Sequence, residues 1–486
     1  MSPRPSAISN VRWTRELAKR VAKILLPSFM RSTSEEDSPI ASARSTESSR
    51  LKDTAYLDGL RGLAASAVYA YHFLVPFSRS LLYGSLPDSP DSASVFGLPI
   101  IGFFRSTSAM VNIFFIISGY VLSLSTLRAI HWQDWERAIH CLSTAALKRG
   151  IRLFVPAVVT SLCIFVLFAG HLYAEEEFFM TLPAHWVPLR PRREHSVFGQ
   201  FEDWLDFVFR RLTNPWRWNY DLFASPHASY YGAHLWTIQT EFHCSLVLFF
   251  IMVVLSRVAE RWAKSTITGV LILYSCLCDR WEVAMFLCGM IFADRHVGSK
   301  KTVEPKWKYI QDNWVPRSWR SVFIVLRDSV VLSTGLWLSS YPEQRGVEAV
   351  GFSWLGKLSP SPQLWQALGA ALVVWSAANV GWVQSFLTTP LLRYVGRISF
   401  ALYLVHEPLL QVGGWTFAAQ MRKCFIASSS NVGLSPELGA HVGTWTAFVP
   451  VTCVVVLVSD YVWRALDKPS VSLAGRMEKY LLLEKP

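Results

Sequence analysis

Arg61 and His72 stand eleven positions apart in one largely apolar stretch, Tyr56 to His72, which also carries Asp58. In a helix that step is about 20° past three full turns and about 16 Å along the axis, so guanidinium and imidazole share a face at different depths. Lipid penalises ionisable groups at such depths, and they normally face a cavity or a partner. An imidazole there suits proton transfer, although a single membrane histidine is as readily a packed residue bonded to backbone. A second pair, Arg149 and Arg152, shares one face of Leu147-Lys-Arg-Gly-Ile-Arg-Leu-Phe-Val-Pro156. Guanidinium groups grip phosphates through paired hydrogen bonds, which makes Arg61, Arg149 and Arg152 candidates for holding a phosphorylated cofactor. Ordinary cytosolic anchoring competes with that reading for Lys148 and Arg149.

Two further segments carry buried acid–base groups. His234 and Glu241 are seven apart and return to nearly the same helical face, so Glu241 is placed either to orient and charge-balance His72 or to pair with an arginine or lysine. Val395 to Pro408 sets His406, Glu407 and Pro408 in mid-span, where a proline frees backbone carbonyls and marks a kink beside a cavity. His234, Trp236, His406 and Tyr120 are the candidates for contact with a substrate. Asn112 and the Ser118-Gly119-Tyr120 step also fit helix packing.

The elements that must position these groups are helices in a bilayer. Of 486 residues, 51% are hydrophobic and 17% charged, against about 25% charged in a soluble domain, which excludes disorder and collagen-like repeats. About ten segments approach the roughly 20 apolar residues needed to cross a membrane: 55–77, 107–127, 151–172, 233–256, 265–279, 281–295, 320–340, 364–386, 395–417 and 440–464. The fifth and sixth are short enough to form one re-entrant pair instead. The expected fold is therefore all-α, one polytopic bundle of about ten helices over 55–466, with a long, partly helical loop at 173–232.

Lys and Arg outnumber Asp and Glu by 47 to 35, and they collect beside apolar runs, which argues for a membrane surface and against nucleic acid. With the basic N-terminus cytosolic, an even number of spans returns the C-terminus to the cytosol; the exception to the charge rule is the loop 173–232, with Arg190, Arg192, Arg193, Arg210 and Arg211 on the far side. Within it, Phe201, Trp204, Leu205, Val208 and Leu212 fall on one helical face, the pattern of a lid lying in the interface. Residues 1–54 read as an amphipathic helix, Val11 to Met30, followed by a polar tether, and 467–486 as a cytosolic tail. The cysteines have no paired C-x-x-C spacing, so no metal is expected.

Five stretches, LDGLRGLAASAVYAYH, FFIISGYVLS, KRGIRLFVP, HLWTIQTEF and GRISFALYLVHEPLL, follow in this order across about 400 residues. Together they resemble the acyltransferase 3 family of integral-membrane O-acyltransferases, in the stand-alone form, and the basic, Ser-rich N-terminus resembles fungal members. The family's arginine separated by ten residues from a histidine is matched by Arg61 and His72, and its Arg-x-x-Arg pair by Arg149 and Arg152. The sequence departs where Glu241 is followed by Phe242, and in its long, Trp-rich loop. The resemblance implies transfer of an acyl group, often acetyl from acetyl-CoA, to a hydroxyl of a carbohydrate or small molecule, with a multi-pass protein in an endomembrane or the plasma membrane.

On that reading His72 acts as general base, or as a transiently acylated nucleophile, with Glu241 setting its tautomer or stabilising its charge. Arg149 and Arg152 hold coenzyme A phosphates at the cytosolic mouth, helped by Arg61. No tightly bound cofactor is needed; acyl-CoA, a hydroxyl-bearing acceptor and lipid are the partners. A proton-coupled secondary transporter is the rival, since such carriers also use buried His, Glu and Arg, but the half-chain repeat that would favour one is not seen.

Overall fold

Every regular element among the described residues is helical. The computed structural model describes Ser28 and residues 54–481, apart from 79–80, 82–97, 185, 217–229, 300–316 and 434. The amphipathic helix expected over Val11 to Met30 and the tether after it lie outside these residues, Ser28 excepted.

Helices α1 (Ala55–Leu74), α2 (Thr107–His131) and α3 (Trp135–Ala169) come first. The loop that follows holds α4 (Glu176–Met180) and α5 (Val197–Asp206), the latter running on as a π turn to Leu212. Then come α6 (Trp236–Ser256), α7 (Arg261–Leu277), α8 (Trp281–Ser299), α9 (Arg317–Ser339) and the short α10 (Ser353–Leu358). The last six are α11 (Pro362–Asn379), α12 (Gly381–Leu387), α13 (Pro390–Leu409), α14 (Trp415–Val432), α15 (Pro436–Val462) and α16 (Lys468–Leu481).

Each of the ten expected segments falls on helix, but among the described residues five helices are long and apolar enough to cross a membrane, or six if α11 and α12, bent by 94° at Val380, make one span. The helices α1 and α13 do not reach that standard; they carry Asp58, Arg61, Arg393, Arg397 and Glu407. The short segments five and six are separate helices, α7 and α8, joined through Asp279 at φ 55°. Helix α14 fills a stretch expected to be loop, and 468–481, expected as a tail, is a helix tied to α3 by the Lys148–Glu478 ion pair at 2.5 Å.

Part of the apolar face of α5 packs on the bundle. Trp204, Phe207, Val208 and Leu212 bury themselves against Leu153, Ile164, Phe168 and Ile238, and Trp204 Nε1 donates to Ser161 Oγ at 3.2 Å. Phe201, expected on the same face, remains 38% exposed. In the same loop Arg190 donates to the Ala174 carbonyl at 2.9 Å and covers the Phe179 ring, and burial lowers its pKa from the ordinary arginine value.

Among the close helix crossings that glycine permits, two involve α1 and α2. A Cβ at Gly59 would fall 1.8 Å from the Leu387 carbonyl oxygen, and one at Gly396 1.9 Å from that of Asp58. The second crossing joins α2 and α8, where Gly119 meets Phe286 and Gly289 meets Ile116 in the same way. Because α1 and α13 touch along their length, the polar residues of both reach the same interior space.

Candidate active site

That space consists of two cavities. One, of about 310 Å³, begins at Thr54 and Asp58 and is lined by Arg61, Ser118, Arg149, Arg152 and Glu241. The other, of about 820 Å³, reaches Thr107 at the start of α2 and the turn Cys278–Trp281, and is lined by His72, Asn112, His234 and Trp236. Val111, Phe115, Thr237 and Tyr403 belong to both walls. Since the start of α1 and the start of α2 lie in different cavities, these open toward opposite ends of the bundle. Between them, Thr237 Oγ1 donates to Tyr403 Oη at 2.6 Å, and Tyr403 in turn donates to the His234 carbonyl.

In the smaller cavity the structure brings Arg61, Arg149 and Arg152 together. Arg149, 8% exposed, is committed: Nη2 lies 2.6 Å from Glu241 Oε1 and Nε donates to Ser245 Oγ at 3.0 Å. Ser118 Oγ donates to the same carboxylate oxygen at 2.5 Å. Glu241 thus belongs to the arginine cavity and not to His72, as the sequence reading had allowed. The reason is the length of α3, which begins at Trp135 under an Asp134 cap and not near residue 151, so Arg149 sits deep inside the helix, level with the carboxylate. A buried guanidinium needs a counter-charge, and Glu241 is the nearest one supplied. Among the described residues, neither Arg61 nor Arg152 forms a hydrogen bond or ion pair through its side chain.

His72 lies on the wall of the larger cavity. Its Nδ1 is 2.9 Å from the Val68 carbonyl oxygen and 3.3 Å from Nε2 of His406. A carbonyl only accepts, so Nδ1 carries the proton and Nε2 keeps its lone pair. His406 is 1% exposed and stands behind His72, off both cavity walls. Its Nδ1 faces the carbonyls of Leu402 and Tyr403 at 3.1 and 2.8 Å, which assigns the proton to Nδ1 and leaves Nε2 as the acceptor toward His72.

His234 completes the group. Its ring meets that of His406 edge to face at 5.2 Å, and its Nδ1 is paired with the Glu407 carboxylate, itself buried. Its Nε2 lies 3.2 Å from the carbonyl of Leu404. That carbonyl is available because Pro408, four residues on, has no N–H to offer it. Trp236 sits on the larger cavity's wall as expected, while Tyr120 is 2% exposed, packed against the His296 ring and on neither wall. Sequence reasoning placed Glu407 in mid-span between His406 and Pro408 without giving it a role in the site, and it missed Tyr403.

The helical bundle thus holds an arginine-lined cavity at one end and a histidine-lined one at the other. The chain belongs to the acyltransferase 3 family: that family's acyltransferase domain matches residues 54–464. It is similar to the O-acetyltransferase PaAT-1 of Phomopsis amygdali, with 27% identity over 460 residues, 90% of this chain and 86% of that one. The acyltransferase clz18 of Cochliobolus lunatus is 26% identical over 396 residues, 73% of this chain and 82% of its own. The acyltransferase R4 of a Phoma strain is 25% identical, with the same coverage of each chain. No solved structure gives a significant match.

Proposed function

We propose that this enzyme transfers an acetyl group from acetyl-CoA to a hydroxyl of a small molecule, such as a secondary metabolite, or of a carbohydrate. The observation that carries the reading is the state of His72: Nδ1 is taken by its neighbours, and Nε2 keeps its lone pair on the wall of a cavity large enough for an organic acceptor. The name of PaAT-1 supports acetyl as the group moved and a hydroxyl oxygen as its destination. Membership of an acyltransferase family favours this over a transporter.

In the proposed reaction the acceptor hydroxyl gives its proton to His72 Nε2 while its oxygen bonds the acyl carbon. The carbon–sulfur bond breaks, and Nε2–H returns the proton to the departing thiolate, so His72 ends as it began. The coenzyme A phosphates are held by Arg61 and Arg152, whose guanidinium groups form no direct ion pair among the described residues, at the face read as cytosolic. Arg149, bound to Glu241, shapes that cavity and adds less to the grip. The pantetheine arm passes the shared wall at Thr237 and Tyr403, and the acceptor enters from the opposite face through the cavity of His234 and Trp236.

Purified His72→Ala, checked for folding in detergent, tests this directly. Loss of acetyl transfer is expected; turnover at the rate of the unaltered enzyme refutes the base assignment.

A further inference from the structure

We infer that His406 is a positioning residue that fixes His72 in its reactive tautomer and stabilises its charged form, and that His234 and Glu407 hold His406 in place. This deepens the proposed function and rests on His72 being the base.

His72 Nδ1 has two acceptors within reach, the Val68 carbonyl and His406 Nε2. The carbonyl belongs to the preceding turn of α1 and already serves the backbone N–H of His72 four residues on. It is therefore a shared, weakened acceptor. When His72 gains a proton at Nε2, its Nδ1–H becomes a stronger donor, and a neutral imidazole nitrogen 3.3 Å away answers that change better than a carbonyl in use. His406 is suited to this because its own tautomer is set: two carbonyls claim its Nδ1. The other tautomer would place two acceptor oxygens against a lone pair and would present an N–H to His72, favouring the wrong tautomer there, and a flip of the ring would offer only C–H groups at both places.

The ring is also boxed in. His234 packs on it edge to face at 5.2 Å, Tyr403 at 5.8 Å, and His72 at 5.1 Å. His234 cannot turn away, since Glu407 holds one nitrogen and the Leu404 carbonyl faces the other. The end of α1 is pinned as well, with Trp415 Nε1 donating to the His72 carbonyl at 3.0 Å. Since His406 is 1% exposed and off both cavity walls, its action on the substrate passes through His72.

The test compares three substitutions in the full-length enzyme, with acetyl-CoA and an acceptor that the unaltered enzyme uses. His406→Gln places an amide at the level of Nε2, whereas His406→Asn ends at the level of Nδ1 and His406→Phe keeps the ring without a nitrogen. The expected result is a kcat about tenfold or more lower for Phe and Asn, with KM for acetyl-CoA unchanged, and Gln within about threefold of the original. Glu407→Gln should lower kcat in the same sense by a smaller factor. An undiminished kcat in Phe or Asn overturns the inference, and so does a Gln variant as impaired as Asn, which is what a purely structural role would give. Should Phe fail to fold, Gln against Asn decides alone. His72→Ala run in parallel separates the two readings: if it keeps its turnover the base assignment falls, whereas an inactive His72→Ala beside a fully active His406→Asn removes only the role of His406.

Discussion

His406 Nε2 lies 3.3 Å from His72 Nδ1, across 334 positions of sequence. The same offset joins Gly62 to Gly396, since 396 − 62 = 334, and there the backbones approach so closely that a Cβ at Gly62 would lie 2.6 Å from the Gly396 nitrogen. The glycine and the histidine are ten positions apart in each helix, so α1 and α13 run side by side in the same direction, in register over about 15 Å. The two imidazoles meet because Gly62 and Gly396 put no side chain between the helices where they cross below them.

That register makes the glycine crossing a requirement for the site. Gly396→Val would drive a side chain into the Asp58 carbonyl, and the expected outcome is loss of folded protein in detergent, read by size-exclusion chromatography. Gly269→Ala in α7, where a Cβ meets nothing within 4 Å, should leave folding unchanged or slightly improve it by up to about 1 kcal/mol. Equal behaviour of the two variants would contradict the packing.

Removal of His72, the proposed base, should lower turnover steeply. His72→Ala is expected to cost about 10²- to 10⁴-fold in kcat, while binding of acetyl-CoA, measured by calorimetry, stays near that of the unaltered protein because the arginines lie in the other cavity.

Donor binding should depend on Arg61 and Arg152, which form no direct ion pair among the described residues. Arg152→Gln and Arg61→Gln are each expected to raise KM for acetyl-CoA by about one to two orders of magnitude, the worth of a charge-assisted hydrogen bond of about 1.5–3 kcal/mol. An apparent affinity that ignores both substitutions would remove the phosphate grip.

Glu241 should matter for stability before chemistry. Glu241→Ala strips the counter-charge from Arg149 and leaves it buried, a change that costs about 3–5 kcal/mol in comparable pairs. A large fall in Tm is expected, with part of it recovered in Glu241→Ala/Arg149→Met, where neither charge remains. Additive losses in the double variant would mean that the pair is not coupled.

Much of this was legible in the residues. Apolar runs, helical spacing and the grouping of bases announced a helical membrane protein, and the spacing of Arg61 and His72 placed both on one face of one helix. Those are local properties: the 3.6-residue turn fixes them wherever the helix goes. The lengths were less legible. Trp135 to Leu147 looked like a polar connection because it carries Glu136, Arg137 and His140, yet it is the first third of α3, since charged groups on a helix that projects past lipid cost nothing. That misread end is what moved Arg149 away from the expected surface and Glu241 away from His72.

By itself, then, the chain determined which groups are buried with a charge or a lone pair to satisfy, and it demanded partners for them without naming any. The choice of partners waited on tertiary structure. Arg149 took Glu241, His72 took His406, and the carbonyl freed by Pro408 took His234. Hydrogen bonds and ion pairs form over about 3 Å, and only the crossing of helices far apart in sequence brings atoms within that reach.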